Sequence, residues 1–128
     1  MSYLLDSTGL IDWLKGRRGV APILEQLAST ERLAVNAISM AEVYSGVADK
    51  DLAVTDRLFG GFDYWPIDPP TARLAGTYRY RYARMGRPLS VTDMLMAASA
   101  VRNDATLVTG NVKDFPMPEL KLMRLPAG

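Results

Sequence analysis

Three short apolar runs, Tyr3-Leu4-Leu5, Leu33-Ala34-Val35 and Thr106-Leu107-Val108, recur along the chain with helix-like stretches between them. Runs this brief and this apolar read as strands buried in the interior of a parallel sheet. Parallel strands cannot be joined by tight turns, so each needs a long crossover, normally a helix. Strands alternating with helices predict a parallel sheet covered on both faces. Two more extended pieces fit this plan. Tyr64-Trp65-Pro66-Ile67-Asp68 is one, because the residue before a proline is pushed towards β geometry; Leu120 to Leu125 is the other. In such a fold ligands gather at the carboxyl ends of the strands. Asp6 and Thr109-Gly110-Asn111 both follow strand candidates directly, so two distant parts of the chain point to one rim.

The intervening segments have recognisable starts and stops. Ser7 or Thr8 can cap a helix holding Leu10, Ile11 and Leu14 and ending near Gly16, where Lys15, Arg17 and Arg18 form a basic cluster. Val20 to Ala28 is a second helix, with Pro22 tolerated in its first turn. Ser39 to Val47 and Asp51 to Phe62 read as two more, the latter ended by Gly60-Gly61. The longest runs from Pro70 to Met85, where Leu74, Ala75, Tyr78, Tyr82 and Met85 form one apolar stripe, and Gly86 closes it. Thr92 to Arg102 is rich in Ala and Met and reads as a buried helix. Residues 1–128 hold no internal repeat, low-complexity segment or linker, which predicts a single domain.

Residue types narrow the chemistry more than charge does. Lys plus Arg number 15 against 14 for Asp plus Glu, so a nucleic-acid partner has to be caught by a local basic patch. The sequence has no Cys and no His. Disulfides, thiolate nucleophiles, Cys/His zinc sites and histidine-based acid–base catalysis are therefore outside its own repertoire. Carboxylates, hydroxyls, Lys/Arg or a bound metal must carry any reaction, and Mg2+ or Mn2+ suits hard oxygen ligands. No apolar run approaches the ~20 residues of a membrane span. The start Met1-Ser2-Tyr3-Leu4-Leu5-Asp6 lacks a signal-peptide pattern, so the expected location is cytoplasmic.

Four acids stand where the chain turns from strand to helix or opens a helix: Asp6, Glu42, Asp93 and Asp114. Converging carboxylates repel and lose hydration, a cost that a divalent cation offsets. Each also has a plain structural reading. Asp6 can be an N-cap. Glu42 completes a Ser39-Met40-Ala41-Glu42 capping box, although the face it shares with Val43 and Tyr44 is expected to point inward. Asp93 sits at the third position of a helix capped by Ser90, but a helix this apolar leaves an acid partly buried and in need of a partner. Asp114 can lie in a solvent-exposed loop with Asx-type turns, near Thr109 and Asn111, which can orient a water or a carboxylate.

Taken together, Leu4-Leu5-Asp6-Ser7-Thr8, Ala41-Glu42-Val43-Tyr44-Ser45-Gly46, the Asp93 to Ala100 helix and Leu107 to Phe115 resemble the successive motifs of PIN-domain ribonucleases, and most of all the VapC-type toxins of bacterial and archaeal toxin–antitoxin pairs. The resemblance covers nearly the whole chain. It implies an α/β chain of three layers, α/β/α, with a central, mainly parallel sheet of about five short strands. It implies Mg2+-dependent (or Mn2+-dependent) endoribonuclease activity that inhibits translation and growth. Asp6, Glu42 and Asp93 match the family's three core acids. Asn111 holds the position where many members have a fourth, with Asp114 three residues on, so both are candidates for the metal set; Thr8 and Thr109 are auxiliary polar groups. The implied partners are an RNA substrate, a small VapB-type antitoxin, a second copy of the chain as a homodimer and a hetero-oligomer with the antitoxin, with no membrane. Trp13, Met40 and other apolar residues near the first helices are candidates for an antitoxin groove.

RNA needs cations beside an acidic pocket. Arg73, Thr77, Tyr80, Arg81 and Arg84 share the helix face opposite the apolar stripe, and Arg17 and Arg18 form a second patch. Either can touch phosphate, with bases stacked on tyrosine, and either can be an ordinary solvated face. A competing enzyme class is a phosphoryl-transfer domain of haloacid-dehalogenase or receiver type, which also puts an Asp after its first strand. The former calls for a second Asp where Thr8 stands; Thr109 and Lys113 mimic only part of the latter. A non-catalytic binding module, its acids serving only as caps, is the third reading.

Overall fold

The computed structural model describes residues 1–126. In chain order it contains β1 (Ser2–Leu5), α1 (Ser7–Leu14), α2 (Val20–Thr30), β2 (Arg32–Val35), α3 (Ala37–Tyr44), a 3-10 turn (Asp49–Asp51) and α4 (Leu52–Gly60). Then come β3 (Asp63–Tyr64), α5 (Pro69–Arg84), α6 (Val91–Arg102), β4 (Thr106–Thr109), a second 3-10 turn (Val112–Asp114) and β5 (Lys121–Arg124). The strands make one sheet in the order β3-β2-β1-β4-β5. Every pairing is parallel.

Alternation along the strands splits the interior in two, because successive side chains leave opposite faces. Leu4, Ala34 and Leu107 face one side, packed with Tyr78, Met94 and Ala97 from α5 and α6. Leu5, Val35 and Val108 face the other, packed with Leu10, Val20, Leu24, Val43 and Phe59. Leu4 and Leu5 are almost completely buried. Each contributes roughly 2 kcal/mol of transfer free energy, so a slip of β1 by one residue is strongly opposed. That register fixes Asp6, the next residue, at the carboxyl edge of the sheet. An added Cβ on Gly9 would stand 2.6 Å from a Leu125 methyl, so the bare glycine lets α1 lie close over the end of β5.

From β1 the chain moves outward to β2 and β3, then crosses back to place β4 on the other side of β1. The crevice between the carboxyl ends of β1 and β4 is thus a topological switch point, where open α/β sheets bind ligands.

Several helix starts differ from the sequence expectation. Asp6 itself caps α1, its Oδ1 accepting from the Ser7 N–H, in place of Ser7 or Thr8. Asn36 caps α3 and Ser39 completes the box from the third helical position, so the helix begins earlier than Ser39 and ends at Tyr44. The capping-box account of Glu42 therefore falls: Glu42 lies in the body of the helix, and exposed. Its face was expected to be inward; Val43 takes that place. Met85, expected in the apolar stripe of α5, is 63% exposed because the helix has ended and the chain turns at Gly86, φ 76°. Ser90 caps α6 as expected, accepting from the Asp93 N–H.

Candidate active site

Asp6 is held through its backbone and through both carboxylate oxygens. Its N–H extends the ladder by donating to the Val108 carbonyl at 3.0 Å. Its Oδ2 accepts from the Thr109 hydroxyl and its Oδ1 from the Ser7 N–H, both at 2.8 Å. The same Thr109 oxygen accepts from the Asn111 N–H at 3.0 Å, so one hydroxyl ties together the ends of β1 and β4 and the loop beyond. Asp6 is 4% exposed. Burial raises its pKa above the ordinary carboxylate value, the charges of Asp93 and Glu42 add to that, and the Thr109 and Ser7 hydrogen bonds oppose it.

Asp93 enters from the first turn of α6 and is half-buried, as the apolar character of that helix predicted. Burial raises its pKa as well, the Asp114 charge pushes the same way, and its contact with Ser90 works against them. Asp114 closes the second 3-10 turn and is half-buried, not a freely exposed loop residue. Charge therefore links Asp114 to Asp93, Asp93 to Asp6, and Asp6 to Glu42. These acids sense one another without crowding: among the described residues no three stand close enough to grip one ion together. Mg2+ keeps several waters and needs only one or two carboxylates besides its phosphate ligands, so it does not require three acids to converge. One buried and one half-buried carboxylate with no cation paired to them among the described residues, and an all-oxygen donor set, fit such a cation.

One polar group at this rim was missed in the sequence. Asn36 follows β2 as Asp6 follows β1, two residues beyond the paired Ala34 and Leu4. It is fully buried, and while its Oδ1 caps α3, its Nδ2 has no partner among the described residues. A strand-end Asn before an apolar helix was the available signal.

The basic candidates separate by position. Arg73 lines a cleft with Pro69, Pro70, Leu74, Thr77 and Arg102. Arg102 ends the helix whose first turn holds Asp93, about 13.5 Å away at helical rise, so the structure does not bring Arg73 to the acids. Arg81 lies close enough to Tyr78 and Glu119 to lower their pKa values against or alongside larger effects, and Glu119 precedes β5, at the opposite edge of the sheet from Asp6. Arg84 is exposed and sits over the Tyr80 ring, 5.3 Å from its centroid. Arg17 and Arg18 do reach the rim, lining a cleft with Thr8, Asp12, Gly110 and Asn111. On the other flank Arg87 donates to the Lys113 carbonyl, bracing the turn that carries Asp114.

A separate apolar groove of about 210 Å3 runs between α1, α3 and α4, lined by Ile11, Leu14, Val43, Val47 and Val54. Trp13 and Met40 do not line it. Trp13 packs on Phe62, ring centroids 5.8 Å apart, and Met40 packs against the core. Among the described residues no helix is long and apolar enough to cross a membrane.

The family model described as the PIN domain matches residues 3–116. The chain belongs to the PIN-domain family, among its VapC members. It is 32% identical to Ribonuclease VapC19 of Mycobacterium tuberculosis over 120 residues, covering 92% of this chain and 96% of that protein. It is 35% identical to Ribonuclease VapC10 of the same organism over 119 residues, covering 91% and 87%. Among solved structures it is similar to VapBC2 from Rickettsia felis bound to a DNA fragment from its promoter, with a TM-score of 0.85, 25% identity and coverage of 97% and 98%.

Proposed function

We propose that this chain is a divalent-metal-dependent endoribonuclease and the toxin of a VapBC-type pair, cutting RNA phosphodiester bonds and so inhibiting translation and growth. The observation that carries the reading is the buried, doubly hydrogen-bonded Asp6 at the β1/β4 switch point, with Asp93 and Glu42 in charge contact. The named ribonuclease activity of VapC19 and VapC10 supports it.

Asp6 and Asp93 would hold the cation, Mg2+ or Mn2+. Asp114 is favoured over Asn111 as the fourth acid, since its charge reaches Asp93 while Asn111 lines the neighbouring arginine cleft. When bound, the cation would polarise water and phosphate oxygen and neutralise charge on the leaving oxygen. Thr109 fixes the Asp6 carboxylate by donating to Oδ2, which leaves its outward lone pairs for ligation. Glu42, exposed beside the site, has the solvent access to take a proton from the attacking water. With no histidine in the chain, proton transfer falls to carboxylates and solvent.

The partners follow from the same reading. Several structural neighbours are VapBC complexes, and the apolar groove between α1, α3 and α4 offers a small VapB-type antitoxin a seat for apolar side chains. Homodimerisation and a hetero-oligomer with the antitoxin belong to this proposal, as does action in the cytoplasm. Mapping cleavage across total RNA tests it: discrete new 5′ ends with Mg2+, suppressed by EDTA and by the co-purified antitoxin, support it. Intact RNA with pure, folded, antitoxin-free protein in Mg2+ and in Mn2+ refutes it.

A further inference from the structure

The structure assigns a second role to the cleft beside the acids: we infer that Arg17 and Arg18, held by the buried Asp12, form a subsite for an RNA phosphate flanking the one that is cut. This rests on the ribonuclease reading above. Asp12 is 8% exposed on the inner side of α1. Its Oδ1 accepts from Arg18 Nη1 at 2.8 Å and stands 3.4 Å from Arg17 Nε. Its carbonyl takes the Arg17 N–H at 2.8 Å. Two guanidinium charges against one carboxylate leave a net +1, and each arginine has five N–H donors, of which few are taken up among the described residues.

Arg18 adopts φ 56° between Gly16 at 63° and Gly19 at 64°. A non-glycine residue in that region costs about 1 kcal/mol or more, and a third glycine would have avoided it. The local structure therefore retains a strained arginine with its side chain fastened to a buried acid. Fastening removes rotamer freedom before binding, which is what a pre-organised anion site requires.

The position of the cleft selects the ligand. Its volume is about 360 Å3, and Thr8 and Asn111 form the wall towards Asp6. The Gly110 N–H reaches Thr8 Oγ1 at 3.4 Å, and Asn111 joins Asp6 through the Thr109 hydroxyl. A polynucleotide with one phosphate at Asp6 must run past one side of this rim, and the arginine pair offers bidentate phosphate contact there. Asp12 acts through the arginines and is a positioning residue.

The test is steady-state cleavage of a labelled RNA oligonucleotide by the full chain in Mg2+, across a salt series. Arg18→Gly removes the guanidinium and relieves the strain, while Arg17 stays 3.4 Å from the buried Asp12 carboxylate, so the variant is expected to fold and is first checked by circular dichroism. For Arg18→Gly and Arg17→Gln we expect KM to rise about tenfold with kcat nearly unchanged, as one lost charged contact of ~1.4 kcal/mol implies. The slope of log(kcat/KM) against log salt should flatten by about 0.7 for each phosphate contact removed. Asp12→Asn should raise KM by a smaller factor at unchanged slope, since both charges remain. Arg57→Gln, an exposed charge on α4, should change neither. Folded variants with wild-type KM and slope overturn the subsite and leave the ribonuclease reading standing, including the case in which only antitoxin affinity falls. A wild-type chain that neither cuts nor binds RNA overturns both.

Discussion

Replacing Thr109 by valine isolates the contact on which the site depends. Thr109 is completely buried, and valine keeps its shape while deleting one oxygen. That oxygen donates to Asp6 Oδ2 and accepts from the Asn111 N–H. A hydrogen bond to a charged group contributes about 1.5–3 kcal/mol and a neutral one ~1 kcal/mol, with the cost of orphaned buried partners included. The expected loss at about pH 7, without metal, is thus roughly 3 kcal/mol, a fall in Tm of about 12 °C at ~4 °C per kcal/mol for a domain of this size. The sign with pH follows from Asp6. Its folded pKa is already raised, mainly by burial, and Thr109 is the strongest influence lowering it, so the valine variant raises it further. A raised carboxylate destabilises the fold above its folded pKa and ceases to do so below the unfolded one. The loss should therefore shrink as pH falls, to roughly 1 kcal/mol near pH 3, below the unfolded carboxylate value of about 3.9. Urea unfolding followed by circular dichroism at the two pH values measures this, and the cycle with Asp6→Asn gives the coupling directly. Equal losses at both pH values, or additive losses in the double variant, would refute the claim that Thr109 stabilises a buried carboxylate.

Three further outcomes follow from the same geometry. Asp6→Asn and Asp93→Asn remove charges whose pKa values are raised, so each should hold or increase stability at neutral pH without metal; scanning calorimetry should also show Mg2+ raising Tm for the wild type and far less for either variant. Arg87→Ala frees the turn that carries Asp114 and should slow RNA cleavage about fivefold, the equivalent of ~1 kcal/mol, with Tm little changed. Asn36→Ala deletes the cap of α3 and should cost about 1–2 kcal/mol in chemical denaturation.

Much of this architecture was legible because burial on both faces leaves a plain trace. The runs at Leu4-Leu5, Leu33 to Val35 and Leu107-Val108 are strands as expected, and the acid after the first of them sits at the rim. Ser90 and Asp93 were placed correctly because a capped, apolar helix leaves its first-turn acid few choices. The start of α3 was misread because Ser39-x-x-Glu42 and Asn36-x-x-Ser39 are both acceptable caps, and only the pairing of β2 with β1 decides between them. The arginines of α5 do lie on its exposed face, but which of them approaches the acids depends on the antiparallel packing of α5 on α6, a long-range property. The Asp12 to Arg17 and Arg18 contacts depend on left-handed backbone that arginine does not announce.

On the proposed reading Asp6 and Asp93 serve metal-dependent RNA hydrolysis and are more than helix-terminal acids. Single-turnover cleavage of one RNA substrate by the wild type, Asp6→Asn and Asp93→Asn, each shown to be folded, tests it most directly. The wild type should cut in Mg2+ or Mn2+, with a loss of at least about a hundredfold (~2.7 kcal/mol) in either variant or in EDTA. Folded variants that cut at the wild-type rate, or a wild type indifferent to EDTA, would contradict it.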